Sequence, residues 1–117
     1  MTAKVQLAIP NTRALPVLFT PTPHAAKRFV TFFTANIRNP NTRKAYTWAV
    51  AEFAAWCERH GLLSLPAIEP VHVATYVESL KGHLSPPSIK QHLAAIRMLF
   101  DWLVVGQVLP SNPASSV

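Results

Sequence analysis

Prolines and glycines punctuate this chain at the edges of apolar stripes, and that placement allows little besides a bundle of helices. Pro23, Pro70 and Pro86 each open a stripe with helical spacing. A missing N–H costs nothing there, because the first N–H groups of a helix have no partner inside it. Gly61, Gly82 and Gly106 fall where stripes end, and glycine readily takes the left-handed conformation that stops a helix. Four helices are predicted, over residues 23–37, 42–60, 70–81 and 86–105. The first places Ala26, Phe29, Val30, Phe33 and Ile37 on one face. The residue before a proline avoids helical geometry, so Asn39-Pro40 ends it. The second starts from Asn41 as N-cap and turns Tyr46, Ala49, Val50, Phe53 and either Trp56 or Cys57 inward. The third buries Val73, Tyr76, Val77 and Leu80. The fourth, capped by Ser85, buries Ile89, Leu93, Ile96, Phe100 and Leu103.

The flanks lack such stripes. Residues 1–22 carry Pro10, Pro16 and Pro21 and no acidic group, which predicts an extended or disordered tail. Residues 23–108 form the predicted domain, and 109–117 (LPSNPASSV) look like the start of a linker. The length of 117 residues suits one domain, and a 50% hydrophobic composition suffices for a core. The fold expected from the residues is all-α.

Charge narrows the choice of partner. Eleven Lys and Arg against five Asp and Glu give a net charge of +6, which favours a polyanion through phosphate neutralisation and counterion release. A solvated basic surface accounts for the charge alone equally well. Cys57 is the only cysteine, so no intrachain disulfide forms, and a reduced buried thiol in a cytosolic protein is expected. No apolar run approaches the ~20 residues of a membrane span, and Pro10 and Pro16 break any signal-peptide core.

No catalytic or metal site is legible. The five histidines and five acids show no HExxH spacing, and one cysteine excludes a zinc-finger pattern. There is no Gly-rich phosphate loop. His72, His83 and His92 suit structural or solvated roles better than catalysis, and Tyr46 and Tyr76 suit packing. No cofactor is expected, and the chain reads as a binding module.

Two helix starts are rich in groups that grip nucleic acid. Thr42, Arg43 and Lys44 form the first turn of the second helix, where free N–H groups and the helix dipole favour a phosphate. Arg43 could also pair bidentately with guanine from the major groove. Ser88, Lys90 and Gln91 lie in the first turns of the fourth helix off its apolar stripe, with Arg97 two turns beyond Lys90. Gln reads adenine, while Lys and Arg hold phosphates and set register. Arg97 competes for an ion pair with Asp101 at i+4. Trp48 stands off the stripe, suited to packing on the first helix or to lying against DNA sugars, packing being favoured.

The strings NTRKAY, FAAWCERHGL, IEPVHVATYVESL, SPPSIKQHLAAIRMLFDWL and SNPA, in this order, resemble the N-terminal core-binding domain of tyrosine recombinases, the phage integrase family. AAWC and QHL are most similar to its Cre-like members. The resemblance covers about residues 24 to 117. It implies a small four-helix SAM-like bundle clamping one face of double-stranded DNA while a separate C-terminal catalytic domain clamps the other. It also implies major-groove contacts from Thr42, Arg43, Lys44 and Ala45 and from Pro87, Ser88, Lys90 and Gln91, with Ala45 and Pro87 offering only apolar contact. The family's first helix touches a neighbouring protomer, so Phe29, Phe32 and Phe33 are expected to be partly exposed in isolation.

The His-x-x-Arg box of the family's catalytic part does not occur in this sequence. The catalytic domain is therefore expected downstream, in a longer cytoplasmic, nucleoid-associated recombinase. By the resemblance, that protein cuts and rejoins DNA through a 3′-phosphotyrosyl intermediate without metal or nucleotide, in a synapse expected to be tetrameric. The rival readings are a self-standing DNA-binding accessory factor and a protein-interaction adaptor.

Overall fold

The computed structural model describes residues 15–117, and every described helix fits the all-α expectation. Helix α1 spans Pro23–Thr31 and runs on into a π-helical turn over Phe32–Asn36. Helix α2 spans Pro40–Arg59, α3 Pro70–Leu80 and α4 Pro86–Val105. Short 3₁₀ turns lie at Val17–Phe19 and Leu65–Ala67.

The proline starts hold, with one correction. The N-cap of α2 is Asn39, not Asn41: its Oδ1 accepts from the backbone N–H of Asn41 at 2.8 Å and of Thr42 at 3.1 Å. Pro40 therefore opens α2, two residues before the predicted start. Both asparagines qualify as caps by type, but only Asn39 precedes a proline that needs no N–H partner.

The helix stops divide differently from expectation. Gly61 has φ 76° and closes α2 in a Schellman motif, with Leu62 N–H reaching the Cys57 carbonyl at 2.9 Å. At the end of α4 the left-handed residue is Gln107, with φ 63°, whereas Gly106 has φ −82°. Gly106 is small for another reason. A Cβ there would lie 2.0 Å from Arg28 Nε, because Arg28 crosses α4's last turn. Its guanidinium sits 3.8 Å from the Trp102 ring centroid and donates to the Trp102 carbonyl at 2.6 Å. Gln107→Gly is expected to stabilise the domain by about 0.5–1 kcal/mol, since a left-handed side chain carries a penalty that glycine lacks. A thermal melt checks the direction, and a lowered midpoint would contradict it.

Ring contacts fix the helix directions. Between α2 and α4, Trp48 meets His92 with centroids 4.8 Å apart, and Phe53 meets Phe100 at 6.2 Å. Residue numbers rise together on both helices, so the two run in the same sense and start at the same end. Helix α1 runs the other way: His24 bonds the Gly106 carbonyl at 2.7 Å, and Arg28 pairs with Trp102. The connection from α3 to α4 is only residues 81–85, so α3 finishes where α4 begins.

The core is aromatic. Phe19, Phe29, Phe33, Phe53 and Phe100 are buried and linked by ring contacts, with Tyr76 and Trp56 beside Phe53. Both Trp56 and Cys57 are buried, and so is Ala25, while Ala26 is only half-buried. Val77, Leu80, Ile89 and Leu93 are half-buried as well. Phe29, Phe32 and Phe33, expected partly exposed, are 2%, 0% and 0% exposed. All three pack inside this one chain, Phe32 against Trp102 at 6.3 Å.

Both flanks belong to the fold where they are described. Leu18 and Phe19 are buried, and Phe19 stacks on Phe29 at 5.4 Å, so residues 15–22 are not an extended tail. The remainder of the predicted tail, 1–14, lies outside the described residues. The predicted linker also docks. Asn112 Nδ2 donates to the Arg97 carbonyl at 3.1 Å and to Asp101 Oδ1 at 2.7 Å, Arg97 Nε donates to the Ala114 carbonyl at 3.2 Å, and Ala114 is fully buried. The physical reason is local: Asn112 can satisfy three groups at once, accepting also from Ala114 N–H at 2.8 Å.

Burial pushes the Cys57 thiol up from 9.0 to about 12. Tyr76 is raised in the same direction, first by burial and then by the charge of Glu52. An acid with a raised folded pKa stays protonated while the unfolded chain loses its proton. Stability therefore falls as pH rises through the unfolded value, by about 1.4 kcal/mol per pH unit for each such group. The domain is expected to lose stability between pH 9 and pH 12, and Cys57→Ala to flatten that slope in urea melts taken across the range. An unchanged slope would exclude the thiol as its source.

Candidate nucleic-acid interface

The parallel run of α2 and α4 brings their basic starts to one end of the bundle. Lys44 lies one turn before Trp48 on the same face of α2, whereas Lys90, two residues before His92, lies about 160° around α4 from it, so the two lysines share an end of the bundle without flanking the Trp48–His92 contact. Lys44, Lys90 and Gln91 are exposed; Thr42 and Ser88 are half-buried. The one ion pair found among the described residues is Lys81 with Glu78, at 3.1 Å. Neither Lys44 nor Lys90 is thus engaged by a carboxylate there.

Two of the seven expected contact residues are bound up locally. Arg43 directs Nε and Nη2 at the Ile37 carbonyl, at 3.2 and 2.8 Å, pinning the connection into α2. That occupies the Nε–Nη2 edge of the guanidinium, so a bidentate guanine contact would have to use its Nη1–Nη2 end. Arg97 makes no ion pair with Asp101; both hold the C-terminal segment instead, Asp101 through Asn112. Thr42, Lys44, Ser88, Lys90 and Gln91 remain at that end of the bundle, on different faces of the two helices.

The helix termini themselves offer less than expected. At α2, Pro40 has no N–H and those of Asn41 and Thr42 are taken by Asn39. At α4, Pro86 and Pro87 have no N–H, and Ser88 N–H faces Ser85 Oγ at 3.4 Å. Backbone anion binding of the kind found at open helix starts is therefore not set up at either site. Any phosphate must be held by side chains.

Sequence reasoning passes over Arg38. It is exposed in the connection just before Asn39, at this same end. Its position after Ile37, in a stretch that links two helices ending and starting here, is the available signal. Packing of Trp48 on the first helix is not found: the residue is 51% exposed and its ring meets α4 instead.

Elsewhere among the described residues no comparable cluster of polar side chains stands out. An apolar groove of about 490 Å³ runs between residues 15–18 and the second half of α2, with Glu58 as the one ionisable side chain lining it. No group of three metal-ligating side chains occurs among the described residues. No helix among them is long and apolar enough to cross a membrane.

A compact four-helix all-α domain with a basic end formed by two parallel helix starts narrows the class to small helical domains. The family comparison gives the rest. The family model described as phage integrase, N-terminal SAM-like domain, matches residues 24–108, and the chain belongs to that family. This is the N-terminal part of integrases, a typically non-catalytic part. No curated protein and no solved structure matches the chain, and the finer likeness to Cre-like members has no support from these comparisons.

Proposed function

We propose that this domain is the core-binding domain of a site-specific tyrosine recombinase, gripping one half of a recombination site in double-stranded DNA for strand exchange by a catalytic domain downstream. The observation that carries this reading is the common end shared by the starts of α2 and α4, at which Lys44, Lys90 and Gln91 are exposed and without carboxylate partners among the described residues. Lys44 and Lys90, with Arg38 at the same end of the bundle, hold phosphates, and Gln91 faces base edges. The amide of glutamine matches adenine by two hydrogen bonds. Other protomers of the same recombinase are the natural protein partners on DNA, in a tetrameric synapse of the full-length protein.

The test is the salt dependence of duplex binding. Fluorescence anisotropy with a labelled duplex should give a log K against log salt line with slope about −0.9 for each phosphate neutralised. Three lysine and arginine contacts then give a slope of about −3. Affinity that does not respond to salt would remove the DNA-binding reading and leave an adaptor role. So would an absence of binding at about 0.01 M salt, where the Debye length is about 30 Å and charges are screened least.

A further inference from the structure

Trp48 is the tryptophan that the fold leaves most open. It is 51% exposed, whereas Trp56 is 7% exposed and Trp102 is held by Arg28, donating Nε1–H to its carbonyl at 2.8 Å. An indole on a helix surface is a large apolar area with no packing partner on its outer side. Here it is also rigidly presented. Its inner side meets the His92 ring at 4.8 Å with the planes 89° apart.

His92 is itself fixed. It is 3% exposed, and its Nδ1 lies 3.2 Å from the Ser88 carbonyl. A carbonyl only accepts, so Nδ1 carries the proton. Nε2 is then a buried acceptor without a partner. An orphaned polar atom is a cost that simple packing of an apolar side chain would avoid. What the imidazole supplies at this point is a perpendicular ring contact for the indole, tied to the first turn of α4.

We propose that Trp48 is a docking platform for the sugar–phosphate backbone of duplex DNA, its exposed ring lying on deoxyribose carbons beside a phosphate held by Lys44, one turn earlier on the same face of α2. This rests on the DNA-binding reading above. The platform is expected to favour a duplex backbone over a splayed single strand, because the ring leans on α4 through His92 instead of standing free to slot between bases.

The experiment uses the unmodified chain and its tryptophan fluorescence, quenched by acrylamide, which is uncharged and so indifferent to the basic surface. Saturating duplex DNA should lower the quenching constant by about half, since the most exposed indole becomes covered. The same addition should change nothing in Trp48→Phe. Trp48→Ala should weaken duplex binding about five- to tenfold with the salt slope unchanged, because the ring contributes apolar contact and no charge. Normal salt-dependent binding with unaltered quenching overturns the platform and leaves the DNA-binding reading standing. Protection by a single strand but not by a duplex overturns it too. Absence of salt-dependent binding removes both.

Discussion

Phe53→Ala is expected to lower the stability of the domain by about 3–5 kcal/mol, the usual cost of deleting a fully buried phenyl ring. Phe53 is 0% exposed and stands where three helices meet: Tyr76 of α3 lies 5.1 Å away, Phe100 of α4 6.2 Å, and Trp56 of its own helix 6.5 Å. Removing the ring takes a partner from each at once, and none is positioned to fill the gap without breaking its other contacts. A domain of this size has about 5–15 kcal/mol in total. The melting midpoint should drop by about 15 °C or more, followed by circular dichroism. Val105→Ala, at a residue 78% exposed, is the control and should stay within about 0.5 kcal/mol. A loss below about 1 kcal/mol for Phe53→Ala would mean that the three-helix junction does not exist as described.

That junction is readable in the sequence, since Phe53, Tyr76 and Phe100 all sit on stripes with helical spacing, and spacing is what burial leaves in a sequence. The helix starts are readable because proline is tolerated in only a few places. What spacing does not carry is which of two equivalent groups takes a hydrogen bond. Asn39 and Asn41 are the same residue type two positions apart, and only the path of the backbone before Pro40 separates them. Gly106 shows the same limit. Its place at a helix end suggests a left-handed turn, whereas its cause is Arg28, remote in sequence and crossing from another helix. The docked segments at both ends escape sequence reasoning because single apolar residues such as Phe19, Leu109 and Ala114 make no pattern.

At the candidate interface the residue types are legible and their availability is not. Arg43 and Arg97 have the right charge, but each finds a backbone carbonyl a few ångströms away that occupies part of its guanidinium. Caps and prolines silence the helix N–H groups in the same way. Both effects depend on local three-dimensional closure. They shift the electrostatic burden to the side chains that extend freely from the surface.

Lys44→Ala with Lys90→Ala is therefore expected to have the largest effect on function of any exposed pair. With no free N–H groups at the helix starts to share the phosphates, losing two cations should flatten the salt slope by about 1.8, at about 0.9 each. Duplex affinity at low salt should fall by about ten- to a hundredfold, with the gap to the unmodified chain closing as salt rises. Both lysines are exposed and lack ion pairs among the described residues, so the melting midpoint should not move. The matched control removes two exposed cations from elsewhere: Lys27 on α1, whose neighbour Arg28 packs against α4's last turn, and Arg59 at the end of α2. That pair carries the same change in net charge. If it weakens binding as much as the lysine pair, attraction comes from overall charge, and the shared end of α2 and α4 is not the DNA surface. If only the lysine pair acts, position outweighs charge, as expected where phosphates are met by particular side chains.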